Sequence, residues 1–98
     1  MNLTVIAATT DAITKRQINA QAWPSVTLHA DNLAGAEEVD IYQEVNGGWE
    51  LAAAYDGTAY KLTATSGPIN LAGGTIYAVD KDATAGACAV VATLVPGA

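Results

Sequence analysis

The stretch Glu38-Val39-Asp40-Ile41-Tyr42-Gln43-Glu44-Val45-Asn46-Gly47-Gly48-Trp49-Glu50-Leu51 decides the fold class. Val39, Ile41 and Val45 alternate with Asp40, Tyr42 and Glu44. That is the period-two pattern of a strand with one buried face. Asn46-Gly47 then supplies the positive φ angles that a tight hairpin turn demands. Residues 38–46 and 49–55 are therefore expected to pair as antiparallel strands.

The same reading extends in both directions. Upstream, Ser25 to Asp31 alternates, with Val26, Leu28 and Ala30 on one face and Thr27, His29 and Asp31 on the other. Residues 3–8 read as a first strand, and residues 13–22 show no clean stripe of either period. Pro24 holds Trp23 extended. Downstream, Asp56-Gly57 is a second hairpin signal, and Tyr60, Leu62 and Ala64 alternate with Lys61, Thr63 and Thr65. Ser66-Gly67-Pro68 and Gly73-Gly74 bracket a short strand at 69–71, and Thr75 to Lys81 is β-branched and aromatic. Residues 87–95 form a nearly continuous apolar run, as in a central strand covered on both faces. Eight or nine short strands, with turn signals about every 8–12 residues, predict an all-β chain. The expected architecture is a small antiparallel β-sandwich or barrel, jelly-roll or immunoglobulin-like. Residues 1–24 would be an N-terminal arm or the first strands, and 25–98 the sandwich, within one domain overall.

A chain of 98 residues has room for a single core. Its net charge of −6 repels phosphate, so no nucleic-acid partner is expected. No apolar run reaches the roughly 18–20 residues of a spanning helix, so no membrane partner is expected either. The first residues lack a basic region followed by an apolar core, which argues against a secretory leader. Cys88 is the single cysteine, which excludes an intrachain disulfide and a thiolate zinc cluster. In Ala-Cys-Ala-Val-Val it reads as a small buried hydrophobe. His29, the only histidine, falls on the face opposite Val26 and Leu28.

Other candidate chemistry has simpler readings. Asp80-Lys81-Asp82-Ala83-Thr84-Ala85-Gly86 sets oxygen donors at alternate positions, as calcium loops do. Its glycine comes one position late and no glutamate closes it, so a turn with local side-chain bonds is favoured. Glu37, Glu38, Asp40, Glu44 and Glu50 gather acid on one hairpin, which suits edge charges better than paired catalytic carboxylates. Neither glycine pair precedes the Lys-Ser/Thr of a phosphate loop. The rings of Trp23, Trp49, Tyr42, Tyr55, Tyr60 and Tyr77 could form a sugar platform, but packing is their commoner use. Trp49 is expected to cap one end of the core. The expectation is a protein that is not an enzyme, with no cofactor and no metal.

Only 14% of the residues are charged, against about 25% in typical domains. Such a small chain must expose some apolar surface, and exposed apolar patches mark association surfaces. Leu3, Val5, Ile13, Ile18 and Trp23 precede the regular hairpins, and Tyr42 shares an outward face with Asp40 and Glu44. These six are the candidate contacts to another copy or to a larger assembly.

From Val26 onward the punctuation resembles that of the small head decoration, or cement, proteins of tailed bacteriophages. The residues concerned are Val26-Thr27-Leu28, Leu33-Ala34-Gly35-Ala36-Glu37, Val39-Asp40-Ile41, Asn46-Gly47-Gly48-Trp49, Asp56-Gly57 and Lys61-Leu62-Thr63. Gly74-Thr75-Ile76-Tyr77, Lys81-Asp82 and Thr84-Ala85-Gly86 complete the set. The resemblance implies a virion protein made in the host cytoplasm, placed on the capsid exterior and bridging subunits of the major capsid protein. It also implies self-association as a homotrimer or dimer. The alternative is a β-sandwich binding module of a phage tail or fibre, or a carbohydrate-binding domain.

Overall fold

A computed structural model describes residues 1–54 and 56–95. The described chain is all β, in two antiparallel sheets, with nine strands. They are β1 (Asn2–Thr9), β2 (Ile13–Asn19), β3 (Ser25–Ala30), β4 (Glu38–Val45), β5 (Gly48–Leu51), β6 (Lys61–Thr63), β7 (Ile69–Ala72), β8 (Ile76–Lys81) and β9 (Cys88–Val95). Sheet A runs β1-β9-β3-β7 and sheet B runs β2-β8-β4-β5, with β6 on the same edge of β4 as β5. Strands pair from the two ends of the chain inward: β1 with β9, β2 with β8, β3 with β7, β4 with β6. That is one long antiparallel ribbon, with β5 near its tip, rolled into two sheets. It is the jelly-roll order. An immunoglobulin-like sandwich would set the last strand beside the penultimate one. Here β9 lies in the other sheet, between β1 and β3.

The deciding hairpin forms as expected. Asn46 (φ 51°) and Gly47 (φ 82°) both occupy the left-handed region, as the two-residue turn requires. The next strand is shorter than 49–55. After Ala52, whose N–H still donates to the Ile41 carbonyl at 2.9 Å, the chain leaves β4, keeps a single bridge between Ala53 and Ala59, and returns as β6 further along the same edge. Asp56-Gly57 does turn the chain: the Asp56 carboxylate accepts the Thr58 N–H at 2.9 Å. Tyr55 and the tail 96–98 lie outside the described residues.

The core lies between the sheets, around Ile6, Ile18, Val26, Leu28, Val39, Ile41, Leu62, Val79, Val90 and Leu94. Burying such alternating side chains is the main drive for two sheets to stack. Of the two readings of residues 1–24, an N-terminal arm or the first strands, residues 2–9 and 13–19 take the second. β1 and β2 are the edge strands of sheets A and B, paired along their length with β9 and β8. Residues 13–22 read ambiguously because β2 carries a bulge between Ile13 and Arg16, which breaks its alternation. Lys15 takes a left-handed φ of 49° there. Asp80 holds it, accepting from the Lys15 backbone N–H at 2.6 Å and from its ammonium at 2.8 Å.

Candidate interaction face

The association residues expected from sequence do not form one surface. Val5 and Ile18 are buried in the chain's own core, at 5% and 0% exposure, so they are corrected from contact residues to core residues. Ile13 and Trp23 are half-buried and pack against that core. Leu3 is exposed at the β1 edge. Tyr42 faces outward from sheet B, but Lys15 lies over its ring, 3.7 Å from the centroid. Trp49 does not cap the core. It pairs with Glu44 on the outward side of sheet B. Tyr77 is buried, its hydroxyl donating to the Ala72 carbonyl at 2.7 Å, and Tyr60 packs on the core. The rings are therefore dispersed among core, loop and outer face.

Reactive groups are likewise kept apart. Cys88 is fully buried on the inner side of sheet A, and burial pushes its thiol pKa up. His29 stands on the outer side of the same sheet, exposed. Asp80 is engaged by Lys15, and the Thr84 hydroxyl donates to the Gly86 carbonyl at 2.7 Å. Within the 80–86 segment the Thr84 hydroxyl is thus satisfied locally, while Asp80 is held from β2. Among the described residues no group of three His, Cys, Asp or Glu side chains could hold a metal ion.

The surface that stands out is one the sequence reading did not single out. None of the four strands of sheet A contains Asp, Glu, Lys or Arg. Its outer side is built in rows across the sheet. One row runs Asn2, Thr93, Thr27, Asn70 through all four strands. Thr93 Oγ1 donates to Asn2 Oδ1 at 3.0 Å, and Thr27 Oγ1 to Asn70 Oδ1 at 2.6 Å. The row on one side is Thr4, Val91, His29, and on the other Val95, Ser25, Ala72. Threonine and valine suit this surface because branched side chains pack well on a pleated sheet. Charges sit at its rim: the Met1 ammonium donates to the Leu94 carbonyl at 2.8 Å, and past the end of β3 the Asp31 carboxylate caps the Ala89 N–H at 2.8 Å.

Within this face, β9 departs from its expected environment. Cys88, Val90, Ala92 and Leu94 are buried, whereas Ala89, Val91 and Thr93 are only half-covered and Val95 is 41% exposed. A run predicted to be covered on both faces is covered on one.

Sheet B is the opposite in character. Lys61 lies 3.1 Å from Glu38 and 3.7 Å from Asp40, and Lys15 lies 2.8 Å from Asp80. Asp40 and Asp80 are cross-strand neighbours. The two lysines relieve the repulsion of like charges placed opposite one another. Their ammonium pKa values are raised, Lys15 chiefly by its bond to Asp80 and Lys61 chiefly by its bond to Glu38. The outward side of sheet B is thus a solvated ionic lattice.

Comparison of the chain with protein-family models, with curated proteins and with solved structures finds no match.

Proposed function

We propose that this protein is a non-enzymatic structural protein of a tailed-phage virion, which binds the capsid exterior and stabilises the shell by bridging major capsid subunits. The observation that carries the reading is the uncharged outer face of sheet A, with its half-covered β9. A surface of Asn, Thr and Val offers apolar area and neutral hydrogen-bonding groups, with the Met1 ammonium and the Asp31 carboxylate only at its rim. That favours contact with protein. The resemblance of the strand and turn punctuation to head decoration proteins is what favours a capsid as that protein. The jelly-roll order is compatible, but it also serves lectins and cupins, so the weight rests on the face and not on the fold. A sugar platform is less well supported, because the Tyr42 ring is already taken by Lys15.

Shell stabilisation then follows from mass action. A protein that binds only the assembled lattice adds RT ln(1 + [L]/Kd) per site, about 2.7 kcal/mol when its concentration is about a hundred times Kd. Repeated over the shell, modest affinity suffices. The test is co-sedimentation of the purified chain with expanded tailed-phage capsids stripped of their own decoration protein. The chain should pellet saturably and raise the temperature at which the capsids open. If it stays in the supernatant at saturating concentration, the proposal fails.

A further inference from the structure

We infer that the outer face of sheet A packs against the same face of a second copy of this chain, about a two-fold axis passing near the Thr27–Thr93 pair. The inference rests on the reading above in requiring that this face be covered by protein; it names the cover of the free chain in solution, which the capsid replaces on the shell.

Charge is the first argument. Two copies each carrying −6 repel wherever acidic groups meet. Sheet A is the one sheet whose strands hold no charged residue, so facing copies there bring no carboxylates together.

Chemistry is the second. A two-fold interface must be complementary to itself. Asn and Thr both donate and accept hydrogen bonds, and Val and Ala meet their like without penalty. Asn2, Thr93, Thr27 and Asn70 form a row that can bond with its own copy.

Area is the third. Four strands about 4.8 Å apart and about 20 Å long present about 400 Å² in projection, and more once corrugated. A pair would then bury on the order of 1,000 Å² in total, near the lower limit of specific interfaces. The pair should be reversible, forming at micromolar to millimolar concentration.

The edges offer no competing route. β1 has register shifts at Thr4/Ile6 and Ile6/Thr9, and Arg16 Nη1 reaches the Val5 carbonyl at 3.4 Å. β2 is bulged at Lys15, and β5, β6 and β7 are four residues or fewer. Bulges, charges and short strands are how sheets prevent edge pairing.

The test is sedimentation equilibrium of the full chain up to about 1 mM, where a pair with a Kd of tens of micromolar is mostly formed. The wild type should approach twice its 10.0 kDa mass. Val91→Glu, which sets a carboxylate in the face, should remain monomeric with an unchanged far-ultraviolet spectrum. Gln17→Glu makes the same charge change on sheet B and should pair like the wild type. Thr27→Cys should cross-link to its copy through a short bis-maleimide, since the native Cys88 is fully buried. A wild type that stays monomeric at the highest concentration overturns the inference. So does a trimeric mass, or a Val91→Glu protein that still pairs. A monomer that nevertheless pellets with capsids would overturn the pairing and leave the capsid reading standing.

Discussion

Lys81 is 1% exposed, the one charged side chain buried among the described residues. Its ammonium donates to the Asp11 carbonyl at 2.8 Å and the Asp82 carbonyl at 3.2 Å. It thereby ties the β1–β2 turn to the β8–β9 loop, and the Thr84 N–H repeats the tie through the Thr10 carbonyl at 3.0 Å. Lys81→Ala should destabilise by about 3 kcal/mol, from a cavity plus two carbonyls left without a donor. Lys81→Met keeps the stem's volume and should cost less, about 1–2 kcal/mol. Chemical denaturation measures both. If the two substitutions cost the same, the packing part of this account is wrong.

Glu37 fastens the same end of the molecule. Its carboxylate accepts the Ala85 and Ala34 N–H groups, each at 2.8 Å, and these bonds hold its pKa below the ordinary value of 4.5. A carboxylate with a lowered folded pKa stabilises above the unfolded pKa. Its contribution is lost as pH falls through the folded one. Amide exchange at Ala34 and Ala85 should therefore show an extra acid-side opening below about pH 4.5. Glu37→Gln should remove that pH step and leave the opening present at neutral pH. A wild-type profile without the step would contradict the assignment. The role of Glu37 was not legible in the sequence. Its position in an acidic run suggested an exposed charge, and its partner Ala85 lies in a loop brought near only by the β3–β4 and β8–β9 connections.

At the scale of elements, local chemistry was the legible part. Asn46-Gly47 specified its turn, the alternation at 25–31 and 38–41 specified the core faces, and Asp56-Gly57 turned the chain, whereas Val45, expected on the buried face, is 37% exposed at the hairpin end of β4. Position across the sheets was not legible. Residues 87–95 were apolar enough to suggest cover on both sides, yet only chain pairing could set β9 between β1 and β3. Ile13 and Ile18 fitted no stripe because the Lys15 bulge shifts the phase between them. Gly73 shows what a break in a pattern can hide. A Cβ there would stand 1.5 Å from the Trp23 carbonyl oxygen, and the Gly73 N–H donates to the Pro24 carbonyl at 2.8 Å. The obstacle is backbone, so it cannot rotate away. Gly73→Ala should cost more than about 2 kcal/mol and lower the melting temperature by several degrees. Gly48→Ala, whose Cβ meets nothing closer than 3.7 Å, should cost far less. Equal losses would show that the close approach at Gly73 is not what its glycine serves.

For the whole molecule, the sequence reading located association in an apolar leading segment. The fold uses that segment as β1 and β2, and Val5 and Ile18 spend their apolar surface on the core. Charges are few, and rolling the ribbon sorts them: sheet B carries the ion pairs and sheet A has none in its strands. No local signal announces this sorting, because each strand of sheet A comes from a different part of the chain. It emerges when Asn2, Thr27, Asn70 and Thr93 meet in one row.

His29 offers a direct probe of that face. It is the only histidine, it is exposed in the single chain, and its row holds Val91 and Thr4. Its modification by diethyl pyrocarbonate can be followed by peptide mass in dilute protein, in concentrated protein and on capsids. Rapid labelling on dilution with protection on concentration or on the shell is the predicted result. Equal labelling of His29 in all three states would contradict a contact through sheet A.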